Sequence, residues 1–478
     1  MARLIGLDIG TSGTKAMAID EQGKVLQSSS RRYEVDSPQP GWAEQDPEMW
    51  WMAAESCLHE LGGPVDAIGL TGQMHGSVFL DQAGQVLRPA ILWCDQRTQV
   101  QCDEIVEKIG EKALLSVAAN LPLTGFQAPK VLWLREHEPQ NYRQVSHVLL
   151  PKDYVRYRLT GDFLTDHSDA SGTGVFNVFG RRHSPKVLSQ LDIDPNWFPR
   201  SAESWVKGDM STAQGVPVVA GAGDQAAGAV GQGSVSEGIV SLSLGTSGVA
   251  FSTVDGHTLP ENQNVHLFCH AQGGWHVMGV MLAYGAALTW ARDTLCPGLS
   301  FEQLSDMAFN AEPGARGLTF LPYLSGERCP FASSTIRGGF FGLASTHQTT
   351  DLIRAVFEGV SFGLYECLVA LGHAAETSRE LRVTGGGAAS LLLRQLIADL
   401  SGKPCVQLDV DEGPAFGAAM LAGVGVGIWP DVRAAAREVV REKAMTDPSS
   451  CDHSHAFERY KSASTVLKDL CAQTNTIK

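Results

Sequence analysis

The chain has 478 residues, 44% hydrophobic and 19% charged, with a formal net charge of −15 at pH 7. That length exceeds one ordinary domain, so two are expected in a globular α/β-type chain. The acidic balance argues against nucleic acid as a partner, which would demand clustered Lys and Arg, and ten cysteines without a C-x-x-C pair argue against a disulfide framework or a zinc module.

The first element is an apolar run over residues 4–9, carrying Asp8, that meets the turn Gly10-Thr11-Ser12-Gly13 and continues as a strand over 14–19 with Lys15 in it. Asp20 to Gly23 turns the chain into a strand at Val25-Leu26. Asp46-Pro47-Glu48 opens a helix, with an acid at the N-cap, proline in the first turn and a carboxylate near the positive end. It runs to about Leu61 and stops at Gly62-Gly63. A buried strand over 67–70 leads into Thr71-Gly72-Gln73-Met74-His75-Gly76, and 78–84 reads as a hairpin. Helices are expected over 130–138 and 153–159. A strand over 216–220 and the turn Gly221-Ala222-Gly223 precede a helix of small residues that starts at Asp224-Gln225.

After a Gly/Ser stretch at 232–238 the pattern restarts: an apolar strand ending in Ser243-Leu244 runs into Gly245-Thr246-Ser247-Gly248, half a chain after the first copy. A long helix over 349–371 follows, then a strand over 381–384 into Gly385-Gly386-Gly387-Ala388, a helix over 391–400 and a helix of small residues from Gly413. The tail beyond Asp452 carries Phe457, Tyr460, Val466, Leu467 and Leu470 at helical spacing. The N-terminus enters a core strand without a signal-peptide pattern, and the apolar run 415–429 is too short to span a bilayer, so no membrane association and a reducing cytoplasm are expected.

Glycine turns with hydroxyls expose backbone N–H groups that suit phosphate oxygens. Two of them, one per half, point to a polyphosphate clamped between two domains, and the third turn at 385–388 suits an adenine or ribose lying on bare backbone, or else close helix–strand packing. There is no G-x-x-x-x-G-K-[ST] run and no protein-kinase motif set. Asp8, in a hydrophobic strand, needs a partner, either Mg²⁺ held through water or local N–H groups. Asp224 reads either as an N-cap or as a general base kept ionised by its helix terminus. His75 faces a cleft or is structural, and Trp42, Trp50, Trp51 and Trp93 read as core, although sugars also stack on indoles.

Taken together, these residues resemble the FGGY carbohydrate kinases, over roughly residues 3–425. Gly-Gly-Phe-Phe-Gly-Leu at 338–343 with Asp351-Leu352 and Ala355-Val356-Phe357-Glu358 is similar to that family's C-terminal signature, and residues 125–133 to its N-terminal one. Gln127 stands there in place of the usual Pro, Ser or Thr, a change expected to matter little. Segments 41–47, 72–76, 92–97, 150–154 and 166–173 resemble the xylulokinase branch; the Arg-Glu pair that glycerol kinases carry where Met74-His75 stands is absent. Gln225 departs from the Asn common in that branch.

The resemblance implies a two-domain actin-like ATPase (ribonuclease H-like) fold with ATP and sugar in the interdomain cleft: 1–235 sugar-binding, 236–430 nucleotide-binding, 431–478 a helical tail. It implies ATP-dependent phosphorylation of D-xylulose at the 5-hydroxyl, with Asp224 as catalytic base, Asp8 as a second catalytic aspartate, and both holding Mg²⁺ through water. Met74, His75, Asp224, Gln225 and Trp93 would meet the sugar. Gly10, Thr11, Ser12, Lys15, Gly245, Thr246, Ser247, Gly386, Gly387 and Ala388 would meet ATP. Homodimers are common among such proteins, although no surface pattern in the sequence shows one. Rival expectations are a kinase for ribulose, another ketose or a polyol, a non-kinase actin-like ATPase, and a sensor with a dead kinase fold.

Overall fold

The computed structural model describes residues 2–256, 258–410 and 413–475, the last four of these by backbone alone. Two sheets organise them, and their strand order repeats. In the first, β1 (Leu4–Ile9) is antiparallel to β2 (Gly13–Ile19), which pairs with β3 (Val25–Arg32). On its other side β1 is parallel to β4 (Ala67–Gly72), and β4 to the short β5 (Ala222–Gly223).

In the second sheet β6 (Ile239–Leu244) is antiparallel to β7 (Gly248–Val254). Strands β8 (His266–Cys269) and β9 (Trp275–Met281) continue beyond β7 in the order β7–β9–β8. On the far side β6 is parallel to β10 (Glu380–Thr384), followed by β11 (Cys405–Leu408) and the antiparallel edge strand β12 (Glu442–Thr446). The two Gly-Thr-Ser-Gly turns thus close equivalent hairpins on equivalent strands. This is the two-domain α/β architecture expected of an actin-like ATPase.

Buried parallel strands read as continuous apolar runs. Leu4, Ile5, Leu7 and Ile9 of β1 are all essentially inaccessible. Helix α1 (Pro47–Leu61) starts as expected: the Asp46 side chain accepts from the Glu48 N–H, and Gly62 ends it. Helices α2 (Gln127–His137) and α3 (Pro151–Thr160) begin a turn or less earlier than expected, with proline in each first turn. Helices α4 (Asp224–Gly231), α5 (Thr349–Ala370) and α6 (Leu391–Ser401) lie where expected.

Helix α7 (Gly413–Gly425) belongs to the second half in sequence but packs on the first sheet and on α4. The contact is backbone to backbone. A Cβ on Gly6 or Gly69 would lie 1.8 or 1.9 Å from the carbonyl oxygens of Ala415 and Ala418, and one on Gly417 1.9 Å from that of Ala227. Small residues on both faces are what allow this approach. Helix α8 (Ser454–Asn475) packs on the second half, where Tyr460 is buried with its hydroxyl 3.0 Å from that of Tyr323. Its expected apolar stripe is only partly covered, since Val466 and Leu470 stand exposed.

Three further expectations change. Residues 216–220 form only isolated bridges, Val218 to Ile68 and Val219 to Lys207. Pro217 lacks an N–H, and Gly221, at φ +84°, kinks the chain around the Leu70 carbonyl. Pairing with β4 resumes at Ala222-Gly223, the residues expected to be turn. The expected hairpin over 78–84 keeps its turn but only one bridge, Leu80 to Val86; the ladder partner of Val78–Leu80 is His147–Leu149. Of the four tryptophans read as core, only Trp50 is fully buried.

Candidate active site

The parallel strands of the first sheet end together. Asp8 stands opposite Thr71, and Thr71 opposite Ala222, so Asp8 and the residues leading to Asp224 lie two strand spacings apart, roughly 10 Å. Open α/β sheets bind ligands at such strand ends. In the second sheet Ser243, at the position equivalent to Asp8, stands opposite Thr384. A cavity of about 180 Å³ separates the two rows, bounded by Asp224 and Gln225 on one side and by Ser241, Ser243, Thr384 and Gly385 on the other.

Asp224 is the first residue of α4, and Gly223 takes the cap position, so the N-cap reading of Asp224 does not hold. Burial pushes its carboxyl up to about 6, against the opposing pull of hydrogen bonds from the Gln225 backbone and side chain. Gln225, the departure noted from sequence, is therefore a direct neighbour of the carboxylate.

The first glycine turn is tightly braced. Gly10 N–H donates to the Gly13 carbonyl at 3.0 Å, and the Tyr33 hydroxyl donates to the Gly10 carbonyl at 2.7 Å. The Thr11 hydroxyl is already engaged: it accepts from Trp93 Nε1 at 2.9 Å and donates to Gln73 Oε1 at 3.1 Å. Gln73 in turn donates to Gln45 Oε1, which also receives Trp50 Nε1. Trp93 thus reaches the glycine turn, and Thr11 ties that turn to the loop carrying Met74 and His75. Ser12 is exposed, and Lys15 stands opposite Asp8 across the hairpin.

In the second turn the carbonyls of Gly245 and Thr246 accept from Gly285 and Ala286 at 3.0 Å, while Thr246 is exposed and Ser247 half-buried. The third turn divides its two readings between its glycines. A Cβ on Gly385 or Gly387 would press on Leu244 at 3.0 and 2.8 Å, whereas one on Gly386 would meet nothing within 4 Å. Ala388 is buried behind them.

Met74 packs on Gly223, where an added Cβ would lie 2.9 Å from its Cγ, so the loop and the Asp224 strand are in contact. His75 sits at φ +67° with Nδ1 2.9 Å from the Gly172 carbonyl and its ring 4.8 Å from that of Phe126. Burial, then the Lys130 cation, hold its imidazole well below the usual range. A neutral ring that donates from Nδ1 leaves Nε2 as an acceptor.

Several neighbours were not singled out from sequence. Lys130 Nζ donates to the carbonyls of His75 and Gly125 at 2.8 and 2.6 Å, and burial lowers it to about 7. Gln127, expected to matter little, donates to the carbonyls of Gly76 and Leu149 and so fixes the exit of the loop. Arg328 reaches across from the second half to Gly125, and its charge adds to the depression of both His75 and His266. The adjacent opposite charges in Gly-Glu-Arg-Cys-Pro at 326–330 were the available signal.

The chain matches the N-terminal domain of the FGGY family of carbohydrate kinases over residues 3–231 and the C-terminal domain over 240–426. It is 42% identical to the xylulose kinase of Escherichia coli (strain K12), over 88% of this chain and 89% of that one. A crystal structure of a xyloylose (xylulose) kinase from Brucella ovis is 34% identical and superposes with a TM-score of 0.91, covering 98% of this chain and all of that one (100%). A gluconate kinase from Lactobacillus acidophilus shares the fold at a TM-score of 0.92 and 24% identity, over 100% of both chains. Fold alone therefore does not select the sugar.

Proposed function

Because the chain belongs to the FGGY family of carbohydrate kinases, we propose that it is a xylulose kinase, transferring the γ-phosphoryl group of ATP to the 5-hydroxyl of D-xylulose. The observation that carries the mechanism is Asp224, a carboxylate poised near pH 6 on the wall of the cavity between the sheets. A base within reach of an attacking hydroxyl accelerates transfer by a few powers of ten, the rest being positioning and electrostatics.

In this reading Asp224 takes the proton of the 5-hydroxyl. Met74 and Gln225 border the sugar, and His75 Nε2 accepts from a hydroxyl. Trp93 acts on the first turn through Thr11. Gly10, Thr11, Ser12 and Lys15 face the phosphates from one side, and Gly245, Thr246 and Ser247 from the other. With its hydroxyl engaged, Thr11 contributes through its backbone. Gly386, Gly387 and Ala388 lie under the nucleoside, with Gly386 the open position.

The donor set at the strand ends, Asp8 and Asp224 with serine and threonine hydroxyls, is all oxygen and fits a hard divalent cation such as Mg²⁺. Asp8 and Asp224 would hold it through water, and when bound it supplies neutralisation of phosphate charge. The proposal also places sugar recognition in 1–235 and nucleotide recognition in 236–430, with 431–478 as a tail, in a cytoplasmic enzyme that forms homodimers. No helix among the described residues is long and apolar enough to cross a membrane.

One observation favours a second reading, that of a kinase for another ketose or a polyol: the Gln225 amide on Asp224 occupies the place of a shorter Asn. The test is ADP release from ATP and Mg²⁺ with D-xylulose, D-ribulose, L-ribulose, glycerol or water alone. Preference for D-xylulose is expected. Preference for another sugar moves the specificity, and no stimulation by any of them overturns the assignment.

A further inference from the structure

A buried charge cluster lies behind Asp224. Lys152, on α3, is fully inaccessible, and its Nζ is 2.6 Å from Asp153 Oδ1, 3.0 Å from Asp166 Oδ1 and 3.5 Å from Asp169 Oδ2. One cation thus serves three buried carboxylates. Burial pushes Asp169 well above the usual carboxylate range, Lys152 opposes this, and the negative charges of Asp166, Asp153 and Asp224 add to it.

From this cluster a chain of hydrogen bonds leads to the catalytic strand. Asp166 Oδ2 accepts from the Ser168 N–H at 2.7 Å, the Ser168 hydroxyl at 2.5 Å, the Asp169 N–H at 3.3 Å and the Ser204 hydroxyl at 3.3 Å. With its proton committed to Asp166, the Ser168 oxygen is left to accept, and it receives the Gly223 N–H at 3.2 Å. Gly223 is the residue before Asp224 and the cap of α4. The same short segment also supplies the Gly172 carbonyl to His75, and the Ser171 hydroxyl to the Cys269 N–H of β8 in the second half.

We propose that Ser168, oriented by Asp166 and through it by Lys152, is a positioning residue that fixes the backbone on which Asp224 stands and holds it in register with His75. The proposal rests on the kinase reading of the site but not on which sugar is used. A buried charge cluster is costly to assemble, and here one cation serves three carboxylates, of which Asp166 is the one tied by hydrogen bonds to Ser168 and Ser204. Three anchors on seven residues, to β5, to the His75 loop and to β8, are what a positioning shelf requires. A misplacement of about 1 Å at a base is enough to lower turnover by about two orders of magnitude.

The test uses Ser168→Ala and Ser168→Thr in the full chain, assayed on whichever sugar the parent phosphorylates. Ser168→Ala is expected to lower kcat about tenfold or more and to displace the acid limb of the kcat profile, with the dissociation constant of ATP unchanged. Ser168→Thr, which keeps the hydroxyl, should restore most of kcat. Parental kcat and acid limb in Ser168→Ala, or equal losses in both variants, overturn the proposal. Should Ser168→Ala melt below the assay temperature, Ser168→Cys, nearly isosteric and a weaker acceptor, carries the same test: an intermediate kcat supports the proposal and a parental kcat overturns it. Absence of any sugar kinase activity in the parent is a separate result and defeats the functional assignment instead.

Discussion

At the scale of single residues, Asp224 joins activity to stability. Its carboxyl is raised to about 6 by burial. A general base must be ionised, so kcat should fall as the pH drops through about 6, as read from initial rates over a pH series. Asp224→Ala should lose transfer by about three orders of magnitude or more while ATP still binds. Stability should run the other way. Because the folded value exceeds the unfolded one, ionised Asp224 destabilises the fold above pH 6, and that cost vanishes as the pH falls toward 4. Asp224→Asn is therefore expected to gain about 1–2 kcal/mol in urea unfolding at pH 8, the cavity water moderating the effect, and nothing at pH 4. A loss of stability at pH 8 would contradict desolvation as the dominant influence on this carboxyl. His75, held neutral beside Lys130, should add no ionisation of its own to the profile between pH 5.5 and 8. His75→Ala should weaken ketose use more than background ATP hydrolysis. Asp8 and Asp224 were candidates from sequence because each adjoins a glycine turn, and Met74 and His75 because their loop resembles that of the family. Lys130, Arg328 and Ser168 were not, because each acts on groups far from it along the chain.

At the scale of elements, glycines report which surfaces are in contact. The helix of small residues α7 lies on β1 and β4 with no space for a Cβ at Gly6 or Gly69, whereas Gly386 faces open space. Gly69→Ala should therefore destabilise the protein by about 2–4 kcal/mol, because overpacking against a backbone carbonyl cannot be relieved by a rotamer change. Gly386→Ala should leave the melting temperature unchanged and raise the KM for ATP, a change of the opposite kind, measurable in the same two assays. Sequence located the helices that flank the glycine turns and the paired hairpins because capping residues, prolines and glycine turns are local signals, but it did not place Gln99–Ile109, Gly285–Leu295 or Phe301–Phe309. It did not resolve 216–223, where a proline and a left-handed glycine split one strand into a bridge and a two-residue ladder. Nor did it show that α7 returns to the first sheet, since its face of alanines and glycines fits either half. The strands β8, β9, β11 and β12 passed unnoticed, lacking turn signals of comparable strength.

At the scale of the whole molecule, the duplication visible as two Gly-Thr-Ser-Gly runs becomes two sheets of matching order with the candidate site between them. Around the site the halves meet through hydrogen bonds, among them Gln232 Nε2 to Thr384 Oγ1 at 3.2 Å, Asn120 Nδ2 to the Leu267 carbonyl at 3.0 Å and Cys269 N–H to Ser171 Oγ at 3.1 Å, and through apolar packing of Met74, Phe126 and Ala229 on Val249, Phe251, Phe268 and Met278. Hinge motion would have to slide or part this interface. The cavity of about 180 Å³ is below the roughly 300–1,000 Å³ of ordinary small-molecule sites, which fits a cleft that opens to take up its ligands. Closure over both ligands would then exclude water, itself a competent acceptor of the phosphoryl group. Two consequences can be measured together. A slow ATP hydrolysis should appear without sugar and be suppressed relative to transfer when D-xylulose is present. In amide exchange, a non-hydrolysable ATP analogue with D-xylulose should protect 223–232 and 266–270 more than the sum of either ligand alone, because those segments carry the contacts that closure tightens. Additive protection would mean that the halves bind their ligands independently, and the suppression of hydrolysis would then need a cause local to Asp224.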